Sequence, residues 1–166
     1  MARNAGLDIV SGKYTVFCDS DDYLVEEWFE KLVNAANKTC ADVVVGGHIR
    51  VFEDSFQNMK LEPRMWYLNN FDSKMRYCCY QIFGNKHGWE VWSRLFKTAN
   101  IIEHHIRFCE DCANFAEDLG FVLEHMLFAE RVVSISYEGY CYRIRLGSMM
   151  NTSVNEVKLN CVNEVS

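Results

Sequence analysis

Three carboxylates crowd into four residues at Asp19-Ser20-Asp21-Asp22, directly after the apolar run YTVFC at residues 14–18. The pattern reads as a buried strand that delivers acidic side chains to its C-terminal end, where open α/β sheets bind their ligands. Carboxylates this close repel one another unless a cation sits among them. Hard oxygen ligands of this kind suit Mg²⁺ or Mn²⁺, which commonly share a site with substrate phosphates. The other reading of the turn is a helix N-cap cluster in solvent. A second acidic pair, Glu117-Asp118, opens the best helical pattern in the chain. A carboxylate there is held rigidly, and the helix dipole keeps it ionised, as a general base requires. A plain acidic first turn is the alternative. Arg3 near one end, and Arg143 and Arg145 beside Ser148 near the other, are basic residues that an ordinary solvated surface would also carry. Trp89 and Trp92 are large aromatics three residues apart, with core packing favoured for at least one. His104-His105 followed by Cys109 and Cys112 gives HHxxxCxxC, a weak zinc or redox pattern without a second pair.

These residues need elements to position them. Residues 2–10 read as a short helix ending near Gly12, and residues 14–18 as a strand. Asp21 or Asp22 is expected to cap the next helix, with Glu26 and Glu27 in its first turn and Trp28, Phe29, Leu32, Val33 and Ala36 on one apolar face. ADVVVG at residues 41–46 reads as a second strand, reached by a right-handed parallel crossover. Residues 48–68, with the only proline at Pro63, read as an irregular strand pair. Residues 71–83 read as a helix starting near Asp72 or Ser73, and residues 89–97 as a strand or a strand entering a turn. Leu119, Val122, Leu123, Met126 and Leu127 recur at helical spacing across residues 117–129. Two strand-like runs follow, at residues 132–137 and 140–144, ahead of a polar stretch. Cys18, Cys78 and Cys79 read most simply as core residues.

A chain of 166 residues with 49% hydrophobic and 14% aromatic content can bury one real core. The net charge of −6 argues against indiscriminate nucleic-acid binding. No apolar run approaches the ~18 residues of a membrane span, and no signal-peptide core follows Met1. Eight cysteines without a secretion signal point to reduced thiols and a cytoplasmic location, with peripheral contact at the inner face of the membrane left open. The sequons at Asn37 and Asn151 then read as chance matches.

In order, the motifs are ARNAGL (residues 2–7), a Gly12-Lys13-Tyr14 step, the strand ending in DSDD, and a helix. After a gap come WSRLFK (92–97), the EDL helix start (117–119) and the aromatic-Arg segment YCYRIRLGS (140–148). This ordered set resembles the family 2 glycosyltransferases, nucleotide-sugar enzymes of the GT-A fold. The resemblance covers residues 2–148 and implies an α/β chain, a truncated GT-A-like mixed sheet flanked by helices. Residues 1–148 would be the C-terminal two-thirds of the domain and 149–166 a polar tail. The strand-helix-strand portion that family members carry ahead of ARNxGL is not in this sequence. The expectation is therefore a fragment, or a natural protein lacking half its nucleotide pocket.

The resemblance also implies a reaction. A sugar passes from a nucleotide-diphospho-sugar (a UDP-sugar by default) to a hydroxyl of a glycan or lipid-linked acceptor. The anomeric centre inverts, and the setting is cell-surface polysaccharide synthesis. It assigns Asp21 to Mn²⁺ or Mg²⁺ and Asp19 to the ribose or the metal shell. Asp118 becomes the base and Glu117 its orienting neighbour or an acceptor contact. Arg3, Arg143 and Arg145 fall at the nucleotide phosphates, and Trp89 and Trp92 border the acceptor. A binding or oligomerising module without turnover is the rival of another class. Lost strands would expose a sheet edge, which a homodimer could cover. A HAD-like phosphatase would need Thr or Val where Tyr23 stands, and an EF-hand loop would need Gly where Leu24 stands.

Overall fold

The computed structural model describes residues 2–110 and 117–144. Arg145, Ser148, Cys112 and the polar tail lie outside the described residues. The elements are α1 (Ala2–Ile9), β1 (Tyr14–Val16), β2 (Tyr23–Leu24), α2 (Trp28–Thr39), β3 (Val43–Val51), β4 (Phe56–Met59) and β5 (Arg64–Tyr67). Then come α3 (Phe71–Tyr77), β6 (Arg94–Lys97), α4 (Thr98–Glu103), α5 (Glu117–Phe128) and β7 (Arg131–Arg143). They form one seven-stranded mixed sheet in the order β1-β6-β3-β7-β2, with β4 added to β3 and β5 to β7. β3 and β7 are parallel at its centre. β6 runs antiparallel to both β1 and β3, so β1 and β3 point the same way.

Strand periodicity divides the core. Val43 and Val45 of β3 face the larger cluster, with Phe17, Phe96, Phe121, Val122 and Met126. Val44 faces the other, with Trp28, Leu32, Ala36 and Trp92. Three successive valines are fully buried because helices cover both faces of the sheet. α2 seals one side, and Trp28 lies so close to Gly139 that a Cβ there would meet its indole at 2.1 Å. α5 seals the other side.

Several expectations are corrected. Asp21 and Asp22 do not cap a helix: the chain passes through β2, and α2 begins at Trp28 after Glu27 in a left-handed conformation (φ 69°). Glu26 therefore lies outside that helix, and Phe29 is exposed. Residues 48–68 are shared out, with β3 running on to Val51 against β4 while β5 crosses to β7. Asn70 caps α3 through a reciprocal bond pair with Ser73, and residues Cys78–Phe83 continue as a π-helix. Only Arg94–Lys97 of the segment from Trp89 is strand. The two last strand-like runs are one strand, broken in register where Val45 pairs Ser134 but Gly47 pairs Glu138. In α5 the buried side chains are Phe121, Val122, His125 and Met126, whereas Leu127 is exposed. That helix is apolar almost all round, so spacing alone does not fix its inner face. Cys18 and Cys79 are exposed, leaving Cys78 as the core thiol of the three.

Candidate active site

The DSDD turn is built at the end of β1, anchored by buried Phe17 edge-on against Phe96, Phe108 and Phe121. It closes through Asp22 N–H donating to the Asp19 carbonyl at 3.1 Å. Its four residues then divide. Asp22 turns inward: Oδ2 accepts from the Tyr140 hydroxyl at 2.8 Å and Oδ1 from the Arg143 N–H at 2.9 Å. The same hydroxyl accepts from Asp19 N–H at 3.0 Å, so one phenol clasps both ends of the turn. Burial raises the Asp22 carboxyl above its ordinary range against the pull of these two donors. Burial and Asp22 together keep Tyr140 a neutral phenol. Asp19 faces outward and is partly exposed, and Asp21 is fully on the surface.

Arg3, from the first turn of α1, gathers the other carboxylates. Its Nη2 donates to Asp19 Oδ1 at 2.7 Å, and its Nη1 to Glu117 Oε1 at 2.9 Å and Asp118 Oδ1 at 2.6 Å. The guanidinium also lies over the Phe108 ring. Burial opposes its charge, but Asp118, Asp19 and Glu117 outweigh that and raise its pKa further. Three half-buried carboxylates meet on this guanidinium in a charge-assisted cluster. Asp118 Oδ2 accepts the Val91 N–H at 3.2 Å. Burial pushes Asp118 up, while Arg3 and this N–H oppose the rise. α1 is docked by Asn4, whose amide exchanges bonds with the Phe108 backbone at 2.9 and 3.0 Å, which makes Asn4 a structural tie.

The site thus unites Arg3, Asp19, Glu117 and Asp118, with Asp21 on the adjoining turn. Arg143 joins through its backbone, and its guanidinium sits over Tyr23 at 5.3 Å. Trp92 is core, stacked on Tyr140 and Tyr142, whereas Trp89 is 42% exposed. His104 stacks on Phe128 and Cys109 is exposed, so the zinc pattern gathers no site among the described residues. No group of three His, Cys, Asp or Glu among the described residues forms a metal cage. A divalent ion that keeps its waters and takes phosphate oxygens needs only one or two carboxylates, and Asp19 and Asp21 can supply them. Sequence reasoning did not anticipate the roles of Tyr140, Asp22, Val91 and Arg94. Only the aromatic-Arg motif around Tyr140 hinted at any of them.

The sequence pattern described as glycosyl transferase family 2 matches residues 1–94, more than half of the chain. The chain belongs to glycosyl transferase family 2. That match takes in Arg3, Asp19 and Asp21, and the Arg3 contacts tie Asp19 to Glu117 and Asp118 beyond it. Glycosyltransferase GlyA of Streptococcus pneumoniae serotype 4 is 30% identical over 89% of this chain and 21% of its own length. A putative glycosyltransferase, EpsH of Bacillus subtilis, is 26% identical over 89% of this chain and 42% of its own. The chain spans less than half the length of these curated relatives. Residues 1–349 of S. aureus TarS, crystallised with UDP-GlcNAc, superpose with a TM-score of 0.72 at 22% identity, covering 98% of this chain and 44% of that one. The α/β architecture is thus the GT-A-like mixed sheet flanked by helices.

Proposed function

We propose that this family 2 chain carries the catalytic half of an enzyme that moves a sugar from a nucleotide-diphospho-sugar to a hydroxyl acceptor, with inversion, in cell-surface polysaccharide synthesis. One observation carries the reading: Arg3 draws Asp19, 16 residues on, and Glu117 and Asp118, 114 and 115 residues on, into a single cluster. Asp118 takes the proton from the acceptor hydroxyl as its oxygen bonds to the anomeric carbon and the bond to the diphosphate breaks. Glu117 fixes the charge around it. The raised Asp118 pKa strengthens it as a base and moves the acidic limb of activity above the ordinary 3.8 of a carboxylate. Asp19 and Asp21 would hold Mn²⁺ or Mg²⁺, which supplies neutralisation of the departing diphosphate. Arg3, Arg143 and Arg145 are the cations available to the phosphates. A uridine donor is favoured because the TarS structures carry UDP-GlcNAc and UDP. No described helix is long and apolar enough to cross a membrane. A cytoplasmic setting with peripheral membrane contact accords with such chemistry.

Calorimetric titration of the chain with UDP, with and without Mn²⁺, tests the donor site. Metal-dependent binding that vanishes in Asp21→Ala supports it. A folded chain that binds no nucleoside diphosphate would favour the module without turnover. One observation keeps that second reading in play: β1 pairs only with β6 among the described residues, leaving its outer edge open to another strand. Sedimentation tests it, and a clean monomer would count against a homodimer.

A further inference from the structure

Arg94 opens β6 with 1% of its surface exposed, yet no carboxylate pairs with it among the described residues. Its guanidinium is spent on one loop. Nη1 donates to the Glu90 carbonyl, and Nη2 to the carbonyls of His87 at 3.1 Å and Gly88 at 2.7 Å. A buried guanidinium is expensive unless its donors are satisfied, and three carbonyls in four residues match its fork. Gly88 takes φ +68°, a left-handed conformation that lets the loop fold back over the guanidinium. The loop is pinned elsewhere too, by His87 Nδ1 on the Tyr77 hydroxyl at 2.8 Å and by Arg94 N–H on the Val91 carbonyl at 3.3 Å. Its last residue, Val91, donates to Asp118 Oδ2. The two oxygens of the proposed base are therefore fixed by different devices: Arg3 on Oδ1 and this loop on Oδ2.

We propose that Arg94 is a positioning residue that staples the loop from His87 to Val91, so that the Val91 N–H sets the plane of the Asp118 carboxylate. The role assigned to Asp118 rests on the glycosyl-transfer reading; the coupling itself does not. The charged groups that face Asp118 are Arg3 from α1, Asp19 from the turn, Glu117 from α5 and the Arg94 guanidinium itself; a change at Gly88 leaves all four charges in place.

The test is a pH titration of the folded 166-residue chain by NMR, following the Val91 amide and the Asp118 carboxyl carbon. In the wild type the amide shift is expected to titrate with the Asp118 midpoint, and Asp118→Asn should erase that response. Arg94→Met should remove most of the Val91 response, and Arg94→Lys should restore part of it; the Val91 response decides, because loss of the Arg94 charge alone moves the Asp118 midpoint. Gly88→Val strains the same loop with the Arg94 charge intact and should give the same loss of the Val91 response, which covers the case where Arg94→Met does not fold. A wild-type Val91 amide that ignores Asp118, or folded Arg94→Met and Gly88→Val chains with the Val91 response unchanged, overturns the proposal. In an active full-length enzyme Arg94→Met should lower kcat about 10- to 100-fold with nucleotide affinity unchanged. Failure of the base reading shows separately, as normal turnover in Asp118→Asn with the NMR coupling intact.

Discussion

The two ends of the sheet handle carboxylates in opposite ways. Asp42, just before β3, is almost fully saturated: Oδ1 accepts from Lys97 Nζ at 3.0 Å, and Oδ2 from the N–H groups of Glu130 and Arg131 at 2.9 and 3.1 Å. Two of its three donors are backbone, so it works as a strut between β3, β6 and β7. At the other end Asp19, Glu117 and Asp118 all meet the Arg3 guanidinium, and Asp21 has no bond to another described residue. A carboxylate filled by fixed amides has nothing left to offer a ligand. An exposed carboxylate such as Asp21 has oxygens left for a cation or a phosphate-bound metal. The DSDD turn repeats the contrast within four residues, with Asp22 locked inward and Asp21 free.

Paired substitutions break or sharpen this contrast. The largest effect is expected from Asp118→Asn, which should lower transfer by about 10²- to 10⁴-fold in kinetic assays while nucleotide and metal binding persist. Asp42→Asn should leave turnover per folded molecule unchanged; if it abolishes turnover at equal folded fraction, the two ends are not functionally distinct. Asp42→Ala strands two part-buried N–H groups and should cost about 1–3 kcal/mol in urea unfolding. Arg3→Met leaves three carboxylates facing one another. Allowing for their partial exposure, it should cost about 1–2 kcal/mol, less at high salt, and Mn²⁺ should recover more of the loss than it adds to the wild type. The pH dependence follows from the raised Asp118 pKa. The native state holds that proton more tightly than the unfolded chain. The stability it contributes is therefore complete below the ordinary 3.8 and disappears as pH climbs through the raised folded value. Melting curves should show the wild type losing ground to Asp118→Asn across that window. The smallest stability change, within about 0.5 kcal/mol, is expected for exposed Asp21→Ala, even though it should remove metal-dependent nucleotide binding.

Much of this was legible in the sequence for a physical reason. The apolar run into DSDD and the ARNxGL and EDL motifs are contiguous, so the residues of the cluster announce themselves locally. What hides are partnerships across the chain. Nothing local says that Tyr140 claims Asp22, which is why Asp22 read as a helix cap. Nothing in WSRLFK says that Arg94 turns back onto the loop before it. The inner face of α5 was misread at Leu127 because a helix apolar on most sides takes its orientation from its neighbours. The valine run of β3 was plain, but its extension to Val51 depends on β4 and β7 arriving beside it.

Tyr140 has a consequence for how the molecule is made. The turn carrying Asp19 and Asp22 leaves the ribosome well before the hydroxyl that clasps it, which follows 118 to 121 residues later, and Glu117 and Asp118 follow Arg3 at a comparable interval. Until α5 and β7 dock, the acidic turn has neither its clasp nor its finished cluster. The site can therefore be completed only after those segments have been made, and a chain stopped ahead of them cannot present it.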